Sequence, residues 1–155
     1  MTILFSQAVV VYQSFISSIF TREVQYWEPQ IVAWSRQYDL DPDIIATIMQ
    51  IESCGDPQAR SAAGAQGLFQ VMPYHFASGE DMFAPDTNAH RGLTYYTAGL
   101  RYHQDDIFLS FAGYNAGHGV AALDWAVWPT ETQRYYYWST GIYTEAKSGL
   151  NVSPT

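Results

Sequence analysis

The sequence predicts a mainly α-helical single domain with little or no β-structure. Three observations carry that expectation. Successive segments place apolar residues three and four apart, the spacing of one helix face. Helix-starting residues (Asp41 before Pro42) and helix-stopping glycines (Gly55, Gly117) bracket those segments. Period-two alternation, the mark of a half-buried strand, is scarce. The chain has 155 residues and only 14% of them are charged, so one domain around one core is expected.

The elements follow in order. In residues 1–20, Phe5, Val9, Tyr12, Ile16 and Ile19 recur at helical spacing, with serines and glutamines largely opposite. Residues 1–27 are therefore expected to hold an amphipathic helix that docks on the domain or mediates self-association. Ser6, Gln7, Gln13, Ser14, Ser17 and Ser18 interrupt this run, so no membrane span is expected. No Lys or Arg precedes Arg22, so the basic start of a signal peptide is missing. The domain proper is expected over 28–147, with a tail at 148–155. Its first helix runs from Pro29 to Tyr38. The next is LDPDIIATIMQIESCG, with Asp41 as N-cap, Leu40 stapled onto Ile45, and Gly55 as the stop. A loop spans 56–67, a short helix covers LFQVM to near Pro73, and 74–87 is irregular. Further helices are expected over Asn88–His103, Asp105–Ala116 and Val120–Trp128. The last runs from Thr130, where Thr130 and Gln133 fit a capping box, to about Lys147.

Composition excludes several functions. Seven Lys and Arg against 15 Asp and Glu give a net charge of −8, the wrong sign for a nucleic-acid partner or a polybasic membrane contact. The one cysteine, Cys54, rules out an internal disulfide and reads as a packing residue. The four His are scattered without zinc-ligand spacing, so no metal is expected. Aromatic residues make up 16%, more than a small core needs, which leaves some for an interface or for stacking on sugar rings. In the run Tyr135, Tyr136, Tyr137, Trp138 the side chains cannot all face one way.

Glu52 does not fit its surroundings. Ile45 and Ile48 precede it by seven and four positions, which places it on the apolar face of its helix. It also lies in the last turn, where the helix dipole disfavours a carboxylate. Desolvation acts in the same direction. Both raise its pKa toward that of a general acid working near neutral pH. A small rotation of the helix would instead leave Glu52 solvated.

Four motifs then occur in order: ES at 52–53, GAQGLFQ at 64–70, AGYNAG at 112–117 and PTETQRY at 129–135. Between them lies NAHRGLTYYTAGLRYH, with an asparagine start and a G-x-x-Y pattern. This ordered set resembles the catalytic domain of lytic transglycosylases of the soluble type, within the lysozyme-like superfamily, over about Pro29 to Tyr143. The resemblance implies a lysozyme-like domain whose helical core surrounds a substrate cleft. It also implies an enzyme that needs no cofactor and cleaves peptidoglycan glycan strands between N-acetylmuramic acid and N-acetylglucosamine, leaving a 1,6-anhydro end. Glu52 would be the single catalytic acid and base, with Ser53 orienting it or the substrate's acetamido group. Phe69, where the family has methionine, would pack in the cleft or be plain core, and Gln70 would hydrogen-bond the glycan. Tyr114 would place its hydroxyl near Glu52 or the bound sugar, and Asn115 would bind sugar or simply shape the helix end. Gly113 stands where the family has alanine. Glu131 would order the cleft or merely complement a helix N-terminus, and Tyr135 would line the cleft.

Two other functions fit the same sequence. A hydrolytic muramidase would need a second carboxylate to activate water, with Asp56, Glu80, Asp81 and Asp86 as candidates. A noncatalytic wall-binding or virion structural module would keep the fold alone. The setting stays open: a phage lysis or virion protein, an exported protein, or a domain of a larger one.

Overall fold

The computed structural model describes residues 15–149. Its helices are α1 (Arg22–Gln25), α2 (Glu28–Tyr38), α3 (Pro42–Glu52), α4 (Pro85–Tyr102), α5 (Ile107–Ala116), α6 (His118–Ala121) and α7 (Thr130–Ser148). Single 3₁₀ turns lie at Pro73–His75 and Trp125–Val127. Among the described residues the only β pairing is two isolated bridges, Arg60 to Gln66 and Gln66 to Val71. The mainly α expectation therefore holds.

α3 is the central element because it is apolar nearly all round. Ile44, Ile45, Ala46, Ile48 and Met49 are all buried, and the one polar side chain in the run, Thr47, donates to the Asp43 carbonyl at 2.6 Å. Asp41 starts the helix by accepting from the Asp43 amide at 2.9 Å. α3 packs against α2 and α7, and α5 packs against α4, α6 and α7. The far end of α7 is pinned to the start of α3. Lys147 Nζ lies 2.8 Å from Asp41 and 3.0 Å from Asp43, and the Tyr143 hydroxyl donates to Asp41 at 3.0 Å. A smaller cluster of Ala112, Ala121 and Trp128 fills the space beneath α6.

Several local expectations are corrected. Of the helix expected over 1–20, residues 1–14 lie outside the described residues, and 15–20 form turns instead. There the backbone N–H groups are taken by side chains of the domain: Ile16 N donates to Glu28 Oε2 (3.0 Å) and Ser17 N to Asp43 Oδ1 (2.8 Å). Ile16, Ile19 and Phe20 are buried. LFQVM is not helical. Gln66 and Val71 exchange two backbone hydrogen bonds of 3.0 Å around a turn in which Gly67 (φ 78°) and Gln70 (φ 46°) are left-handed. The helix expected over Val120–Trp128 is broken after Ala121, and Trp128 folds back to donate its indole N–H to Leu123 O at 2.9 Å. The Thr130–Gln133 capping box does not form, because Gln133 Nε2 donates to Trp125 O at 2.9 Å. Cys54 is exposed rather than packed, in a left-handed turn with its thiol on Gln50 O.

No helix among the described residues is long and apolar enough to cross a membrane. None of the described His, Cys, Asp and Glu gather in threes or more as a metal site would require.

Candidate active site

Glu52 is the last residue of α3. The helix stops there because Cys54 (φ 51°) and Gly55 (φ 82°) turn left-handed. Only glycine fits at 55, since a Cβ would come within 2.7 Å of the Glu23 carbonyl oxygen. Trp27 holds this turn by donating its indole N–H to Gly55 O at 2.9 Å. The end of α3 is thus fixed, and with it the backbone of Glu52.

The Glu52 side chain is half-buried in the wall of a cleft of about 410 Å³. The Tyr135 hydroxyl, reaching across from α7, donates to Glu52 Oε1 at 2.7 Å. Burial pushes the Glu52 pKa up to about 7. The Glu131 carboxylate adds to the rise, while the hydrogen bond from Tyr135 opposes it. Burial also raises the phenols of Tyr114 and Tyr135 well above their ordinary value, so both remain protonated donors beside the carboxyl.

The expected site residues divide into two groups. Gln70, Tyr114, Asn115 and Glu131 line the cleft with Glu52. Gln70 Nε2 donates to Ala59 O (3.1 Å) and Gly67 O (3.0 Å), so its donors brace the loop, and its amide oxygen has no hydrogen-bond partner among the described residues. Tyr114 donates its hydroxyl to Phe69 O at 2.7 Å. Asn115 Oδ1 accepts from the Thr132 hydroxyl at 2.9 Å, which ties the end of α5 to the start of α7. Glu131 is solvent-exposed on the cleft rim.

The second group supports the cleft from behind. Ser53 donates to Leu68 O at 2.8 Å and accepts from the Gly55 amide at 3.1 Å, so it fastens the end of α3 to the loop and does not reach the cleft. Phe69 is fully buried, edge-on to Trp34 at 5.7 Å, and is core rather than a glycan contact. Tyr135 is buried behind Glu52 instead of lining the cleft. For Ser53 this is compatible with the expected orienting of Glu52, and for Phe69 with the core alternative, while Tyr135 departs from the expected lining role. The three placements share a cause. In a tight turn or on a helix, neighbouring residues face different ways, and which one meets the cleft depends on partners distant in sequence.

Sequence reasoning missed other residues. Tyr95, His75 and Arg91 line the cleft. Asn88, quoted only as the start of its motif, is fully buried and holds the Gln70 loop in place. Its Oδ1 accepts from the Phe69 amide at 2.8 Å, and its Nδ2 donates to Gln66 O at 2.7 Å and Met82 O at 2.9 Å.

The departure at Gly113 has a structural reason. A Cβ on Gly113 or on Gly99 would overlap the imidazole of His118. That ring stacks on Tyr95 with centroids 4.6 Å apart, and its Nε2–H donates to the Tyr95 carbonyl at 3.1 Å. The two glycines thus make a slot for a histidine that supports the Tyr95 wall. Gly113→Ala is expected to destabilise the protein by about 1–3 kcal/mol through overpacking. His118→Ala in the same chain should recover part of that loss, as a double-mutant cycle of urea unfolding would read. Strictly additive losses would show that the slot does not couple the two positions.

Known proteins match this arrangement. The family model described as the transglycosylase SLT domain matches residues 29–126. A transglycosylase of Enterobacteria phage PRD1 is 34% identical over 115 residues, covering 72% of this chain and 40% of the phage protein. The membrane-bound lytic murein transglycosylase C of Actinobacillus succinogenes is 33% identical over 108 residues, covering 56% of this chain and 30% of that protein. The chain thus spans less than half the length of either relative. In fold, it superposes on the lytic transglycosylase Slt of Pseudomonas aeruginosa with a TM-score of 0.62 at 24% identity, over 78% of this chain and 24% of that one. The 70-kDa soluble lytic transglycosylase, solved with bulgecin A, gives 0.66 at 20% identity, over 82% and 25% of the two chains. With its motifs in order around one cleft and the family model matching most of its length, the chain belongs to the transglycosylase SLT domain family.

Proposed function

We propose that this domain is a peptidoglycan lytic transglycosylase, with Glu52 as its single acid and base. The observation that carries the reading is the Glu52 carboxyl itself: half-buried, facing a cleft, and holding its proton to about pH 7. In the first step Glu52 gives that proton to the oxygen bridging N-acetylmuramic acid and N-acetylglucosamine. The bridging C–O bond breaks, and the acetamido group of the muramic residue stabilises the cationic anomeric carbon. Glu52, now a carboxylate, takes the proton from the same sugar's primary hydroxyl as that oxygen closes onto the anomeric carbon. Glu52 returns to its starting form and the product is a 1,6-anhydro end. Ring closure within one sugar has a large proximity advantage over attack by water. Tyr135 holds the carboxyl in place through both steps, and Tyr114 remains a neutral neighbour.

The carboxylates first considered for water activation lie elsewhere. Asp56 and Asp81 accept from the backbone amides of Gln58 and Phe83, Glu80 pairs with Arg91, and Asp86 accepts from the Trp34 indole. None of the four lines the cleft. Glu131 does line it, and so a hydrolytic reaction using Glu131 to activate water is the second reading. Mass spectrometry of digested peptidoglycan separates the two. The expected muropeptides carry anhydro ends, each lighter by one water than a reducing end. Reducing ends alone would assign hydrolysis, and binding without release of muropeptides would leave a noncatalytic wall-binding module.

A further inference from the structure

Of the seven Lys and Arg in this acidic chain, only Arg91 lines the cleft. Glu52 and Glu131 line the same cleft, so a cation stands against the prevailing sign of charge. Its position is set with care. Glu80 grips it in a forked pair, with Nη2 to Oε1 at 2.7 Å and Nε to Oε2 at 2.9 Å. Glu80 is itself held by the Ala77 amide at 2.8 Å. A guanidinium carries five N–H donors, of which this fork uses one on Nε and one on Nη2. Nη1 has no protein partner among the described residues. The group is therefore pre-oriented with a second donor edge unused, which lowers the entropic cost of a further ion pair.

Arg91 also adjoins the reacting carboxyl's neighbours. The next residue, Gly92, lines the cleft and lies so close to Tyr114 that a Cβ there would be 2.7 Å from the phenol oxygen. A sugar seated at Glu52 and Tyr114 would therefore lie in the cleft that Arg91 and Gly92 line from α4.

We propose that Arg91 binds a carboxylate on the muramyl unit's lactyl–peptide substituent and so makes the cleft prefer muramyl-containing strands over plain N-acetylglucosamine polymers. This rests on the glycan-strand reading above. The carboxylate has two possible sources. The lactyl group carries one when no peptide is attached, and the stem peptide carries others when it is.

The test compares wild type and Arg91→Gln on three ligands. Intact strands bear stem carboxylates, and amidase-treated strands bear free lactyl carboxylates. The hexasaccharide of N-acetylglucosamine, measured by binding, bears neither. Losing a charge-assisted hydrogen bond should raise KM about 10-fold on one or both carboxylate-bearing strands. The strand on which KM rises names the source. The kcat should stay within about twofold and hexasaccharide affinity should not move, since no carboxylate is lost there. Unchanged KM on both strands overturns the proposal. An equal loss on all three ligands also overturns it, because Arg91 would then only tie the 77–84 segment to α4. If Arg91→Gln fails to fold, Arg91→Lys replaces it. Lysine keeps the charge facing Glu80 but loses the second edge, so KM on the responding strand should still rise, and an unchanged KM sinks the idea. Failure of the underlying reading looks different: wild type would release no muropeptide from either strand.

Discussion

Glu52→Gln should lose turnover by about 10²–10⁴-fold or more while the domain stays folded. General acid–base catalysis is typically worth that much for one proton transfer, and in the proposed mechanism one group serves both transfers. Glutamine keeps the size of the side chain and can still accept from Tyr135, so the loss isolates the proton. Wild-type activity should fall as pH rises through about 7, because the proposed first step needs Glu52 protonated. Stability carries an independent signature. The folded pKa of Glu52 lies above its unfolded value, so the folded state binds more protons between the two. The wild type therefore loses stability as pH rises from about 4.5 to about 7, by on the order of 2–3 kcal/mol. Glu52→Gln has no such penalty. It should melt above wild type at pH 7 and level with it at pH 4. Melting curves that run parallel from acid to neutral pH would mean that Glu52 is solvated, and near-normal turnover by the variant would remove it from the chemistry.

The position of Glu52 was legible in the sequence because one helix decides it. Helical spacing puts a carboxylate four and seven residues beyond two isoleucines on or beside their face, and Asp41 and Gly55 mark both helix ends. The loop from 66 to 71 was not legible. LFQVM suits a short helix by its apolar content, and what prevents one is a side chain on α4, Asn88, which takes the Phe69 amide from outside the segment. Tyr95 and Tyr96 pose the same difficulty. They are adjacent on one helix, yet Tyr96 is fully buried with its hydroxyl on Ile107 O and Tyr95 lines the cleft. Only the packing of α5 against α4 separates their roles. Ser53 and Phe69 flank the working residues in the chain and support them from behind. A motif marks a stretch of chain, whereas contact with the cleft is a property of single side chains.

Asn88→Ala should be the most damaging substitution outside the reacting carboxyl. Asn88 is fully buried and uses both ends of its amide, accepting from Phe69 N and donating to Gln66 O and Met82 O at 2.7–2.9 Å. Removing it leaves the buried Phe69 amide and the part-buried Met82 carbonyl without this partner, while Gln66 O keeps its bond from Val71 N. Each unsatisfied group costs about 1–3 kcal/mol, so a loss of roughly 2 kcal/mol or more is expected. Asn88→Asp should not rescue the protein. An aspartate can accept from the Phe69 amide, but its charge would lie against two carbonyl oxygens with no proton to offer them. Activity should fall further than stability alone explains. Phe69 O is the acceptor for the Tyr114 hydroxyl, and Gln70 follows Phe69 in the same turn. When that turn loosens, two residues of the cleft wall lose their anchor, and kcat should drop about 10-fold even where the variant is fully folded. Urea unfolding of the three proteins, with kcat measured well below each melting temperature, provides the check. A loss under about 1 kcal/mol with normal kcat would mean that Asn88 only begins a helix, and that the turn carrying Gln70 holds its shape without it.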